Sequence, residues 1–382
     1  LGFEIIPIPN SENRSPVHHE EHSLGLASWC IQPLYTYTFT HLMDLRHNKN
    51  RREEPAKISR WLMGALLLNP DVCTFWNMRK ELFRNQRLDF MEEARFTKVV
   101  LFNKSKCFEA FAYRRWLLNH VLIDQPNPTI DVESILRNEI SVTGMAADRY
   151  ESNYNAWIHR KHIIGLYEEL CPSSLMSLLI SEWEFSRAWC SCHVSDHGGF
   201  AYRQIIMRDL VLLDAKKKFT IIPGELEKRR AIILNYVGEN GSVHNLGSEE
   251  LLIALHGAPE QKSTDSNQDR ILLGLSYWVE DAVLNQELIN MFPGHEALWC
   301  HRKFLAYQLR AITSSYRRHG AYRSEYIDHK QNITYCSTGD TPLEMAFDAR
   351  TKEMADVARK TDDELHIVDK FLKFMAALSL ED

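Results

Sequence analysis

The stretch "SNYNAWIHRKH" (152–162) places a tryptophan, Trp157, three residues before an arginine, Arg160, behind a short polar run. Four further segments carry the same arrangement: "NPDVCTFWNMRKEL" (69–82), "KCFEAFAYRRWL" (106–117), "SDHGGFAYRQII" (195–206) and "PGHEALWCHRKFL" (293–305). Aligned on the ring, the anchors are Trp76, Phe111, Trp157, Phe200 and Trp299, and the arginines are Arg79, Arg114, Arg160, Arg203 and Arg302. Residues i and i+3 share one helix face, so each ring and its arginine point toward the same neighbour. The ring offers a large area to bury, and the guanidinium can reach carbonyls or carboxylates of an adjoining hairpin. A single W-x-x-R indicates only a buried helix. Five in register predict an all-α chain of repeated helical hairpins, an alpha-alpha superhelix.

The anchors lie 35, 46, 43 and 99 residues apart, and the first three intervals are the length of one hairpin. Upstream of each anchor is an amphipathic segment suited to a first helix: 54–68, 88–102, 132–145, 174–191 and 269–291. The long interval predicts an insertion at 214–268, where Gly, Ser, Asn and Gln accumulate, with a short helix near 224–236. The repeats therefore span 53–311. Residues 1–52 read as irregular, then helical from Ser28; 312–340 lack clean periodicity and read as loop; 343–380 read as a capping helix. Ser152 and Asn153, like Ser195 and Asp196, suit N-caps, and Pro70 and Pro293 suit helix entry.

The 382 residues, 45% hydrophobic and 25% charged, describe a globular chain rather than a disordered one. A net charge of -6 with scattered basic residues gives no electrostatic case for nucleic acid. Apolar runs such as "WLMGALLL" (61–68) fall short of the roughly 20 residues that span a bilayer. "LGFEIIPIPNSENRSP" has neither a basic n-region nor a long h-region, and the chain reads as cytoplasmic. Eight scattered cysteines without a CxxC pair read as reduced thiols. Cys190-Ser191-Cys192-His193 lacks the usual zinc spacing and a second ligand pair, so no metal is expected in this chain.

The tandem pattern N-x-x-x-W-x-x-R-[RK] after capped helices resembles the repeat of protein prenyltransferase α subunits. It is carried by "RYESNYNAWIHR" (149–160), "HVSDHGGFAYRQ" (193–204) and "PGHEALWCHRK" (293–303). The resemblance covers about 53–310. It implies a crescent of hairpins around a β subunit of the Rab geranylgeranyltransferase type, forming a third type of protein geranylgeranyltransferase. Zinc and the isoprenoid pocket then belong to that partner, and geranylgeranyl diphosphate is the co-substrate. The protein substrate is expected to be a trafficking or SNARE-type protein with C-terminal cysteines, including one already farnesylated.

The resemblance also implies one lysine near the departing diphosphate, five residues before the second repeat's ring. Counting back from Phe111 gives Lys106, with Lys104 as the alternative. Its charge would offset the negative charge developing on the leaving group. The family's tyrosine at the active-site mouth corresponds to Tyr154, followed by Asn155 where histidine is frequent. Phe108 stands where others carry tyrosine. Asn153, Asn155 and Phe108 are thus expected beside substrate or diphosphate, in a site unlike that of a farnesyltransferase. The alternative reading is a helical-repeat adaptor that binds proteins without catalysis.

Overall fold

The computed structural model describes residues 2–8, 15–48, 53–212, 223–238, 246–261, 267–327, 341–358 and 365–380. The parts of the expected insertion and loop at 213–222, 239–245, 262–266 and 328–340 lie outside them. Two compact units divide the chain, Leu1–Pro172 and Ser173–Asp382.

The first unit opens on a small sheet where irregular chain was expected. Strands β1 (Gly2–Ile6), β2 (Val17–Glu20) and β3 (Ser23–Ala27) are ordered β1-β3-β2, with β1 parallel and β2 antiparallel to β3. Each strand has only four or five residues, too few for a period of two to stand out. Helices α1 (Ser28–His47), α2 (Pro55–Leu68), α3 (Cys73–Arg84), α4 (Phe90–Asn103), α5 (Phe108–Asn119), α6 (Val132–Asp148) and α7 (Tyr154–Leu170) follow, and α5 continues into a π-helical turn at His120–Asp124. Pairs α2–α3, α4–α5 and α6–α7 are the three hairpins that carry Trp76, Phe111 and Trp157.

An apolar cavity of about 360 Å³ lies between the sheet and the first two helices, lined by Phe3, Leu24, Leu26, Leu34, Trp61 and Leu68 among others.

The second unit holds α8 (Leu175–Cys192), α9 (His197–Val211), α10 (Pro223–Val237), α11 (Ser248–His256), α12 (Gln268–Met291), α13 (Glu296–His319), α14 (Ser324–Ile327), α15 (Pro342–Ala358) and α16 (Leu365–Leu380). Pairs α8–α9 and α12–α13 are the remaining hairpins. Part of the insertion is packed rather than loop. Leu251, Leu252, Leu255 and His256 of α11 are buried, and His256 bonds Thr313 on α13 and the Tyr322 hydroxyl beyond it. Arg350 of α15 donates to the carbonyl of Tyr236 on α10 at 2.7 Å.

The loop expected from 312 starts later, because α13 runs on to His319 and ends at Gly320 in the left-handed conformation (φ 61°). Its last turns bury Ile312, Thr313, Ser314, Ser315 and Tyr316, and the small polar residues hide the apolar period from the sequence. The single capping helix is two, α15 and α16. Phe371 of α16 packs tilted against the Trp299 ring, with the ring centres 5.2 Å apart.

All five anchor rings are buried, at 0–5% exposure, and each contributes roughly 2–3 kcal/mol. One spacing recurs in every hairpin. Arg79, Arg114, Arg160, Arg203 and Arg302 each donate from Nη1 to the carbonyl 20 residues earlier, on Ser59, Ala94, Ile140, Trp183 and Ala282. The arginine thus ties the second helix of each hairpin to its first.

Candidate functional site

The turn inside each hairpin precedes the helix that carries the anchor. In the first unit these turns are 69–72, 104–107 and 149–153, and hydrogen bonds join them into one edge. Cys107 caps α5, its sulfur accepting from the Ala110 amide at 3.4 Å and lying 3.6 Å from the Pro70 carbonyl it donates to. Burial pushes this thiol up to about 11, so it stays protonated. Asn153 caps α7 by accepting from the Ala156 amide. Its Nδ2 donates to the Ser105 carbonyl at 2.7 Å and to the Ala146 carbonyl at 2.9 Å. Asn155 Nδ2 donates to the Lys106 carbonyl at 2.9 Å. The turn that carries the two lysines is therefore fixed by side chains from the next hairpin.

The expected site residues separate into two groups on this edge. Lys106, Phe108 and Tyr154 are exposed, Phe108 by 58% and Tyr154 by 67%. Asn153 is buried at 1%, with both ends of its amide used on the chain, and Asn155 is half-buried. The asparagines thus support the turn, while the two rings and the lysine face outward.

The two candidate lysines differ in their neighbours. Lys104 Nζ lies 3.6 Å from an Asp71 carboxylate oxygen, which offsets its charge. Lys106 Nζ sits 4.1 Å from the centre of the Tyr150 ring, a contact that holds an ammonium without neutralising it. Asp71, Lys106, Ser152, Ser195 and Gly294 each stand five residues before their anchor ring, so a lysine occupies that register only in the second repeat.

Each unit also holds buried carboxylates that the sequence reading left out. Glu93 accepts from Arg79 of the preceding hairpin and from the Tyr113 hydroxyl of its own at 2.7 Å. Glu139 accepts from Arg114 at 2.9 Å and meets His159 Nε2 at 3.0 Å. Asp281 accepts from Arg203 at 2.6 Å and meets His301 Nε2 at 3.0 Å. Glu182 accepts from Tyr202 at 2.6 Å. Each carboxylate lies 20 residues before its Tyr or His, and that repeated separation was the available signal.

Burial alone would raise the Glu139 carboxyl, but Arg114 and His159 outweigh it and hold the group down to about 2. The same balance, with Arg203 and His301, holds Asp281 near 2. Burial lowers His159, which is therefore neutral and donates from Nε2. The cation row of the opening stretch is thus divided. His159 and Arg160 are buried structural groups, while Lys161 is exposed.

The CxCH stretch is dispersed across α8 and its end: Cys190 is buried, Cys192 is exposed, and the His193 ring stacks on Trp189 at 3.9 Å. Among the described residues no helix is long and apolar enough to cross a membrane.

Comparison with known proteins bears on this edge. A profile of the protein prenyltransferase alpha subunit repeat matches residues 90–121 and 136–167, which are the α4–α5 and α6–α7 hairpins bearing Lys106 and Tyr154. The chain is 32% identical over 353 residues to protein prenyltransferase alpha subunit repeat-containing protein 1-A of Xenopus laevis, covering 87% of this chain and 74% of that one. It is 31% identical over 319 residues to the Homo sapiens protein prenyltransferase alpha subunit repeat-containing protein 1, covering 79% and 72%. Geranylgeranyl transferase type-2 subunit alpha of Saccharomyces cerevisiae is 22% identical over 146 residues, 37% of this chain and 42% of that one.

Proposed function

Because the chain belongs to the protein prenyltransferase alpha subunit repeat family, we propose that it is the α subunit of a heterodimeric protein geranylgeranyltransferase. The distant likeness to a subunit named for geranylgeranyl transfer supports that choice of isoprenoid, and the Rab-type β partner is what the resemblance of the repeats implies. The observation that carries the reading is Lys106. It is an exposed, unneutralised cation at the register where the family's lysine falls, on a turn pinned by Asn153 and Asn155.

In the proposed reaction a cysteine thiolate of the protein substrate forms a bond to C1 of geranylgeranyl diphosphate. The C1–oxygen bond breaks, and the diphosphate leaves with the electron pair. Zinc, held by the β subunit, would supply the activated thiolate when bound. This chain supplies the ammonium of Lys106 against the charge growing on the leaving oxygens, an interaction stronger in the transition state than in the ground state. Tyr154 and Phe108 form the apolar rim of the same edge and face the partner and the substrate tail. The substrate is a trafficking or SNARE-type protein with C-terminal cysteines, including one already farnesylated, and the reaction takes place in the cytoplasm.

The test is to co-express the chain with each prenyltransferase β subunit and to follow transfer of labelled geranylgeranyl diphosphate to candidate proteins. A stable complex with the Rab-type β subunit and transfer to a cysteine are expected. Lys106→Ala should then slow single-turnover transfer by about 10-fold or more, and Lys104→Ala should leave it near wild type. Failure to co-purify with any β subunit overturns the enzyme reading in favour of a helical-repeat adaptor. An active complex indifferent to Lys106→Ala overturns the site.

A further inference from the structure

Tyr150 lies outside the family's expected contacts, yet its ring sits under the charge of Lys106, 4.1 Å from Nζ to the ring centre. We propose that Tyr150 is a positioning residue, its ring face holding the Lys106 ammonium at the edge of the turn, an inference that rests on the diphosphate role given to Lys106.

A lysine on an exposed turn has four rotatable bonds, and fixing such a side chain costs rotamer entropy. A holder already present in the free protein lowers that cost at the moment of reaction. The choice of holder matters. A carboxylate such as Asp71 beside Lys104 orders the ammonium but offsets its charge. An aromatic face orders it through the ring quadrupole and leaves its N–H groups free to donate to phosphate oxygens.

The surroundings show that Tyr150 is itself held. The preceding residue, Arg149, donates from Nε to the Phe102 carbonyl at 2.6 Å, and its guanidinium carbon stacks 3.6 Å from the Phe102 ring centre. The following residues return to the same lysine turn through Asn153 to Ser105 and Asn155 to Lys106. The turn 149–153 and the first residues of α7 therefore hold both the backbone of Lys106 and its ammonium. Between them Ser152 adopts a left-handed φ of 53°. That conformation is disfavoured for serine and persists only where the surroundings enforce it. Tyr150 is 47% exposed, so its ring has no large burial role that would explain its placement.

The experiment is a double-mutant cycle on the complex with its β subunit, read by single-turnover transfer and by KM for geranylgeranyl diphosphate. Tyr150→Leu should lower the single-turnover rate by about 2- to 5-fold, the size of an exposed cation–π contact, with thermal stability unchanged. Tyr150→Phe should retain the wild-type rate, because the contact needs only the ring. In a Lys106→Ala background Tyr150→Leu should have no further effect. In the chain alone, the Lys106 Hε resonances should lie upfield from the ring current and return to ordinary shifts in Tyr150→Leu. Equal losses from Tyr150→Leu with and without Lys106 would make the ring merely structural and overturn the proposal. So would an unchanged rate in Tyr150→Leu where Lys106→Ala is slow. If Lys106→Ala is itself silent, the diphosphate reading fails and this proposal fails with it.

Discussion

The arginine of each repeat is the residue on which the hairpins depend, and its partners differ along the chain. Arg114 faces the Glu139 carboxylate, both nearly inaccessible, while Arg302 bonds the Thr351 hydroxyl and the carbonyls of Ala282 and Phe347. Removing one partner of a buried pair leaves an uncompensated charge and costs about 3–5 kcal/mol. Arg114→Leu should therefore lose about that much in urea unfolding. Arg302→Leu should lose less, about 1–3 kcal/mol, because its hydrogen bonds go to a hydroxyl and two carbonyls rather than to a carboxylate. Burial lowers Arg302 to about 10, and the neighbouring Tyr236 and Asp348 offset only part of that effect. The ring and arginine positions were legible in the sequence, since their separation of three repeats within each short segment. Their carboxylates were not, because those sit on the preceding helix and only hairpin closure brings them together.

At the scale of elements, caps and spacings decide where each helix lies. Asp196 accepts from the amides of Gly198 and Gly199 at the start of α9, and its other oxygen accepts the Trp189 indole at 3.0 Å. Asp196→Ala should cost about 1–2 kcal/mol by loss of the cap, measured by thermal unfolding. Gly64 gives the opposite case. It lies inside α2 beside the apolar cavity, and a Cβ there would meet nothing within 4 Å. A mid-helix glycine costs about 1 kcal/mol relative to alanine, so Gly64→Ala should stabilise the protein by about that amount. The first helices of the hairpins were readable from amphipathic periodicity. The strands and α11 were too short to carry a period, and their formation rests on surfaces that other elements provide.

For the whole molecule, the buried ionisable groups set a direction for pH dependence. Glu139 and Asp281 titrate near 2 in the folded chain against ordinary values of 4.5 and 3.8, so their contribution is complete above the ordinary value and lost as pH falls toward 2. His256, lowered by burial to about 3 from 6.5, binds its proton more readily when unfolded, and stability falls from pH 6.5 downward through that group as well. Both effects share a sign. The urea midpoint should be flat near neutrality, decline below about pH 6.5 and decline more steeply below about pH 4.5, and a midpoint rising on acidification would contradict the assignment. The sequence by itself determined the helical class, the hairpin repeat and the interruption between the fourth and fifth repeats. These are written in local spacing, which survives without tertiary contacts. Only the tertiary structure decided that Lys104 faces Asp71 while Lys106 rests on Tyr150, and that Asn153 is a buried brace. Those outcomes depend on which turns meet across hairpins, and a separation of more than 30 residues along the chain carries no local signature of contact.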